Sequence, residues 1–505
     1  MHLKNNKLNL KRTSYFLLFM FVMQPILDVL TYWLIELGKG TVITFVIRTL
    51  IFFVTMLIGF LLSKQRKVYY WVFSIVLIFW LARYVNSYRI GHSAILYDLR
   101  VYFRLVQAPM FIIAFISIFR QYEFKLLPVK KYILVNYLII LSVILLAAIT
   151  GTQGYTYGKW HRVGIKGWFY NGNAQTAIVA MIVPVVLYVA YESRKKIIFL
   201  LSALLCFAHL FYTGTKVAYY SIFIISFCFV LSLWLTKSRS VFHYVVIITL
   251  AVLCVAFVTY SPMSKMSSIH NEYIFNKKEL VKEQITSPSS SGPQQSYSKE
   301  SNNSGAKKQA KDQFKSNQLS EGKLQKYQQL YMGLSRYHPM INKFGLEAVV
   351  ARTNYITDIE TLSNARYMKI VYNLLLWNEQ DIVTKLFGVH YDMQICGEEN
   401  YDVENDLLGV LFLYGYLGFT IYLLFMGYFV FIVLRSLILH FKSVFSMELG
   451  CIITSLLIAA ITTIFTAGML RSTNASFYLS VFLVCVYFIC EVNTNDGIDS
   501  RKLSK

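Results

Sequence analysis

The sequence predicts an all-α integral membrane fold, with about twelve transmembrane helices and one large loop outside the membrane. Three observations predict it. Hydrophobic residues make up 56% of the 505 and charged residues only 15%, whereas a soluble chain carries roughly a quarter charged residues. The apolar residues gather into runs of the length, about 20 residues, that a helix needs to cross the hydrocarbon core, and a helix satisfies its own backbone there. Lys and Arg are dense in alternate segments between the runs, the pattern expected when cytoplasmic loops are the basic ones.

Taken in order, the runs read as spans over 13–36, 41–62, 68–86, 95–119, 132–150, 173–191, 196–213, 217–236, 241–260, 405–434, 447–467 and 473–491. The N-terminus is basic and then apolar, like a signal peptide. No small-residue cleavage site follows and further spans do, so the first helix is read as retained. Three regions result: 1–260 with nine helices, a loop over 261–404, and 405–505 with three helices and a tail. The basic segments are the N-terminal tail (Lys4, Lys7, Lys11, Arg12), 64–67, 120–131, 194–196, 237–239, 435–442 and the C-terminal tail. They place both termini in the cytoplasm and the 261–404 loop on the extracellular side.

The loop has two parts. Residues 286–326 are rich in Ser, Gln, Lys and Gly with almost no apolar residue, so they cannot bury enough to order themselves and are expected to be disordered. Residues 327–395 carry Tyr327, Leu330, Tyr331, Leu334 and then Tyr367, Ile370, Val371, Leu374 and Leu375 at helical spacing. That spacing predicts amphipathic helices lying over the outer mouth.

A net charge of +23 does not imply nucleic acid, because the large loop is close to neutral and a DNA-binding loop is strongly basic. Of the seven cysteines, Cys396 is alone in the loop and the others are in or beside spans, so neither a disulfide framework nor a metal spacing emerges. His161, His338 and His390 are scattered, and no metal or other cofactor is expected. The absence of a Gly-rich phosphate loop argues against an ATP-driven pump.

Ten cations fall on the outer side, where the positive-inside tendency disfavours them: Lys39, Arg83, Arg89, Arg100, Arg104, Lys159, Arg162, Lys166, Lys216 and Arg471. Arg48 lies within the second span. Single cations of this kind often snorkel to lipid phosphates, but the set points to a cavity for an anion of high charge such as a diphosphate. Arg100 and Arg104, four apart, share a helix face.

Four stretches stand out. KGWFYNGNAQTA, 166–177, puts Lys166, Trp168, Phe169, Asn171 and Asn173 at the membrane surface. Rings beside amides suit a sugar, although an interfacial aromatic belt has the same composition. YTGTKVAYYS, 212–221, is a tight outer turn in which Thr213, Thr215 and the backbone around Gly214 offer donors and Lys216 a charge. LSNARYMKIVYNLL, 362–375, opens a helix with Arg366, whose fork can grip a phosphate. DVENDLLGVLFLYGYLGF, 402–419, crowds Asp402, Glu404 and Asp406 before an apolar helix. Such carboxylates complement a helix dipole, and like charges also raise one pKa toward that of a usable base.

In this order and spacing the four stretches resemble the O-antigen ligase and O-antigen polymerase superfamily of bacterial membrane glycosyltransferases. The nearest branch looks like the Gram-positive teichuronic-acid and exopolysaccharide polymerases; QPILDVL at 24–30 and Arg48 look like that branch too. The resemblance implies a metal-independent enzyme of GT-C-like architecture. It would move a glycan from an undecaprenyl diphosphate carrier to an acceptor hydroxyl on the outer face. It assigns the diphosphate to Lys216 and Arg366, with Arg48, Arg100, Arg104 and Lys166 as a supporting ring, and acceptor activation to Glu404. Trp168, Asn173 and Tyr401 would meet sugars. The family's turn normally carries Arg after Gly-Ser, where this chain has Gly214-Thr215-Lys216, and the ligases' His before Asn is here Glu404 before Asn405. The second departure favours a polymerase, acting on lipid-linked donor and acceptor in the bilayer, with a chain-length regulator and a flippase as expected partners and no nucleic acid. A ligase that attaches finished glycan to another lipid or protein shares the donor site and stays open. A transporter or flippase of lipid-linked sugars is a further alternative, although repeat symmetry and broken central helices are not evident. A structural or sensory membrane protein would not need so many outer cations.

Overall fold

A computed structural model describes residues 2–92, 94–122, 124–286 and 321–492. Of the stretch expected to be disordered, 286–326, residues 287–320 lie outside the described residues, whereas Thr286 ends one helix and 321–326 open another, so the expectation is corrected at both edges. The chain divides into two compact units: Met1–Ser268 with Asp381–Tyr391 and Glu404–Lys505, and Ile269–Gln380 with Asp392–Val403.

The first unit is a bundle of apolar helices. They are α1 (His2–Glu36), α2 (Val42–Leu62), α3 (Arg66–Arg89), α4 (Ile95–Gln121) and α5 (Val129–Ile149). A small hairpin follows, β1 (Gly154–Tyr155) and β2 (Ile165–Gly167), with the one-turn α6 (Gly158–His161) at its tip. Next come α7 (Gly172–Glu192), α8 (Lys196–Thr213), α9 (Lys216–Leu235) and α10 (Val241–Ala256). Eleven described helices are long and apolar enough to cross a membrane, and α10 is a shorter apolar helix. The expected span over 241–260 is therefore cut short: the helix ends at Ala256 and Val258–Tyr260 form a 3-10 turn. The chain is an all-α, multi-pass membrane protein.

Polar side chains stitch the apolar bundle. Asn136 of α5 donates to the carbonyl of Phe21 on α1 at 2.6 Å and to the Tyr478 hydroxyl at 2.8 Å. Ser480 donates to the carbonyl of Ala108 on α4 at 3.2 Å. Without water, such bonds and close packing replace the hydrophobic drive between helices.

The second unit takes α11 (Pro262–Thr286) from Ile269 onward, then α12 (Glu321–Met332), α13 (His338–Phe344), α14 (Leu346–Arg352), α15 (Ile359–Ser363) and α16 (Ala365–Asn378). On α16, Met368, Val371, Tyr372, Leu375 and Leu376 are buried on one face, at spacings of three and four. Leu330, Tyr331, Leu334 and Tyr337 of the same unit are buried as well.

Within the loop region, α17 (Ile382–Phe387) belongs to the first unit and packs on the 406–444 helix and on α3. Two-stranded β3 (Ile395–Cys396) and β4 (Glu399–Asn400) follow it, and then α18 (Asp406–Val444), α19 (Met447–Phe465) and α20 (Thr473–Tyr487). The reason for α17's placement is a break in α18. Gly415 has φ 68° and ψ −175°, so the helix stops and restarts there. The carbonyls freed at the break find partners outside the helix: Val389 donates its N–H to Phe412 at 2.8 Å, and Arg83 donates Nε to Leu413 at 2.9 Å. Gly388 makes the approach feasible, since a Cβ there would lie 2.2 Å from the Leu413 oxygen. Gly388→Ala is expected to destabilise the protein by ~1–3 kcal/mol, as overpacking does. A lowered melting temperature in size-exclusion thermal scans is the check, and an unchanged one would refute the close approach.

Arg83, counted among the outward cations, is instead wholly buried and its three nitrogens are all engaged. It contributes to the fold and not to an open cavity.

Candidate functional site at one end of the helix bundle

The α8–α9 turn is rigid for identifiable reasons. Gly214 is left-handed at φ 82°, and Thr215 caps α9 by accepting from the Ala218 N–H at 3.1 Å. The hairpin braces it, because Thr156 donates its hydroxyl to the Thr213 carbonyl at 2.7 Å. Two glycines let the segments touch: a Cβ on Gly214 would lie 3.1 Å from Gly164 Cα, and one on Gly164 would lie 2.5 Å from the Thr213 oxygen. Lys216 follows directly. Its side chain is exposed and makes no bond among the described residues. A backbone held this firmly, carrying a free ammonium group, is a preorganised cation.

The hairpin carries the first motif. Lys166 is half-buried and donates Nζ to the Tyr170 carbonyl at 3.1 Å. Burial lowers its pKa, and the negative charge of Glu36 opposes that shift. Trp168 donates its indole N–H to the Thr152 hydroxyl at 2.9 Å and sets its ring edge-on to Trp33, with centroids 5.5 Å apart. Asn171, not Asn173, does the local work. Its side chain caps α7 by accepting from the N–H groups of Asn173 and Ala174, while the Asn173 side chain is exposed.

Deeper charges are paired. Arg48 donates to Asp28 at 2.7 Å and to Gln24 at 3.3 Å, and Asn474 also donates to Asp28. The Arg48 charge is thus matched inside the bundle and not open to a ligand on its own. Arg100 lies over the Phe45 ring at 5.1 Å and donates to Thr41 at 3.0 Å; Arg104, one turn further along α4, is half-buried. Asp406 is wholly buried at the start of α18. It accepts from the N–H groups of Gly468, Met469 and Leu470 at 3.1, 2.7 and 2.8 Å, and from Arg471 Nε at 3.1 Å. Gly409 leaves room for that guanidinium, since a Cβ there would lie 2.4 Å from its Cζ. Asn405 caps the helix by accepting from Leu408 N–H at 2.9 Å. Glu404, just before it, is half-buried and engaged in the structure.

These pieces form one continuous rim. The turn touches the hairpin, and the hairpin leads into the capped start of α7. A Cβ on Gly468 would meet the Ala174 methyl at 4.0 Å, and the 466–471 loop holds the start of α18 through Asp406. Lys216, Lys166, Trp168, Asn173, Arg48 and Glu404 all belong to the first unit, whereas Arg366 and Tyr401 belong to the second. Arg366 is exposed in the first turn of α16, where Asn364 accepts its N–H at 3.0 Å. Tyr401 is corrected from a sugar platform to a core residue. It is wholly buried, stacks on Tyr372 with centroids 4.0 Å apart, and donates its hydroxyl to the Arg336 carbonyl at 2.9 Å.

Sequence reasoning missed the Asp406–Arg471 pair and the Asp28–Asn474 contact. A lone Asp inside an apolar span is itself a signal, because it demands a partner, but nothing in the chain order names that partner.

A family model described as O-antigen ligase like membrane protein matches residues 11–362. The match includes Arg48, Arg100, Arg104, the hairpin and Lys216, and ends before Arg366 and Glu404. Neither a search of curated proteins nor one of solved structures returned a match.

Proposed function

Because the chain belongs to the O-antigen ligase-like membrane protein family, and so is a glycosyltransferase-like membrane enzyme of polymerase or ligase type, we propose that it is a polysaccharide polymerase. Its donor is a glycan chain on undecaprenyl diphosphate, and its acceptor is the terminal sugar of a lipid-linked repeat unit at the outer membrane face. The branch is that of the teichuronic-acid and exopolysaccharide polymerases. The observation that carries the reading is Lys216, an exposed cation with no partner among the described residues, on a turn braced by two glycines and the hairpin.

In the reaction, the bond between the donor sugar's anomeric carbon and the diphosphate oxygen breaks, and its electron pair leaves with the diphosphate. The acceptor oxygen forms the new bond, and its proton passes to Glu404. Lys216 and Arg366 stabilise the charge growing on the leaving group. Lys166, Arg100 and Arg104 add positive potential, while Arg48 acts through its bonded network with Asp28 and Asn474. Trp168 and Asn173 meet the sugar. The proposed transfer is metal-independent.

Two experiments test the reading. Cells lacking the protein are expected to accumulate single lipid-linked repeats, seen on gels of extracted glycans. Intact lipid-linked ladders that fail to reach a final acceptor would make the enzyme a ligase instead. For orientation, single cysteines at Lys237 and Ser304 in a cysteine-free background are expected to label from opposite sides of the membrane, with Ser304 outside. Labelling from one side would overturn the assignment.

A further inference from the structure

The opposite end of the first unit holds a cavity of about 940 Å³ that the proposed chemistry does not use. Its position follows from one helix. Arg100 of the candidate site lies near the start of α4 and Arg120 of the cavity near its end, so some 20 residues of helix, or ~30 Å, separate the two. The apolar part of its wall includes Phe119, Ile133, Val185, Ile452 and Phe482.

The rim is charged, and the charges are unequal in what they already hold. Glu448 bonds Tyr188 and faces Lys130, and Lys130 also pairs with Glu192 at 2.6 Å. Glu491 bonds Tyr487. Two cations are left over. Arg120 is exposed and spends one Nη on the Tyr487 hydroxyl at 2.8 Å, and Lys125 is exposed with no bond among the described residues. Arg120 also lines a neighbouring cavity of about 220 Å³ beside Lys64. Glu491 shares Tyr487 with Arg120, but Arg120 keeps further donors and Lys125 makes no bond among the described residues, so an apolar wall beside these two cations suits an amphiphile with an anionic head. A free anion would have no use for the wall, and an uncharged lipid none for the cations.

We propose that this cavity binds an anionic phospholipid, with its phosphate at Arg120 and Lys125 and its acyl chains against the apolar wall. Basic pockets between transmembrane helices hold lipid headgroups by this combination of charge and apolar contact. The ligand chemistry is a phosphate ester, whose source is either the membrane lipid or free phosphate, and the inference commits to the lipid.

The test uses the full-length protein in phosphatidylcholine nanodiscs supplied with phosphatidylglycerol. Native mass spectrometry counts the retained phosphatidylglycerol, and a thermal scan follows stabilisation. Wild-type protein is expected to retain phosphatidylglycerol over phosphatidylcholine and to melt higher with it. Arg120→Gln and Lys125→Gln are each expected to weaken retention about fivefold, the worth of one basic residue near an anionic lipid. Lys125→Arg is expected to restore it. Inorganic phosphate is expected neither to stabilise the protein nor to displace the lipid. Equal retention by wild type and variants, or equal preference for the two lipids, would overturn the proposal; stabilisation by inorganic phosphate alone would reassign the site to a free anion. Should Arg120→Gln fail to fold, the exposed Lys125→Gln carries the comparison alone. None of these readings depends on glycan transfer, so they stand or fall apart from the proposed activity.

Discussion

Lys216→Ala is expected to lower the rate of glycan polymerisation by about 10²–10³-fold, the usual cost of removing one donor that meets developing charge. The protein itself should be unaffected. Lys216 is exposed and bonds nothing among the described residues, and substitutions at such positions usually stay within about 0.5 kcal/mol. Activity and stability therefore separate cleanly at this position. Lys216→Arg is expected to retain activity, since a fork placed on the same braced turn presents the same charge. Arg366→Ala is expected to match Lys216→Ala, and Glu404→Gln to lose ~10²–10⁴-fold if that carboxylate takes the acceptor's proton. Gels of lipid-linked glycans beside a membrane-level blot give the answer. Full ladders from Lys216→Ala at normal protein level would remove the turn from the site, and full ladders from Glu404→Gln would leave that residue a structural role only.

The chain order made the membrane helices legible because their signal is local. The run at 196–213 coincides with α8, and that at 173–191 with α7 to within a residue at each end. The α8–α9 turn was equally readable, since Gly214 and the capping Thr215 sit side by side in the sequence. What stayed hidden depends on partners far apart in the chain. Residues 405–434 read as an unbroken apolar helix, yet the helix breaks at Gly415 because α17 and Arg83 supply partners for its freed carbonyls. Arg83 looked like an outward cation beside Arg89, and only burial against Asp98 and Tyr414 shows otherwise. Tyr401, expected to meet sugars, has Tyr372 as its neighbour in space instead. In an apolar chain each charged residue is conspicuous, whereas its role is decided by the counter-charge that packing brings to it. Asp28 and Arg48 could be noticed one by one; their pairing could not.

Arg83→Ala is expected to be the most damaging substitution in the bundle. The side chain is wholly buried, donates to Asp98 at 2.5 Å, to the Leu413 carbonyl at 2.9 Å and to the Val389 carbonyl at 3.3 Å, and lies over the Tyr414 ring at 5.0 Å. Removing it strands a buried carboxylate. Asp98 is 0% exposed, its second oxygen already has no hydrogen-bond partner, and His390 Nε2 stands 3.8 Å from the first. Breaking a buried pair from one side typically costs ~3–5 kcal/mol, because the leftover charge has neither water nor partner. The carbonyls of Leu413, at the α18 break, and of Val389 lose their donor and add to that loss. Replacing both members behaves differently: Arg83→Met with Asp98→Leu removes the stranded charge and is expected to recover a large part of the stability, leaving chiefly the unpaired carbonyls. A melting series of wild type, Arg83→Ala, Asp98→Leu and the double variant measures this, with both single variants melting well below the double. Activity per folded molecule should stay near that of wild type, since none of the three nitrogens of Arg83 is free to meet a substrate. A single variant that melts like wild type would show that the break in α18 is held by α17 alone.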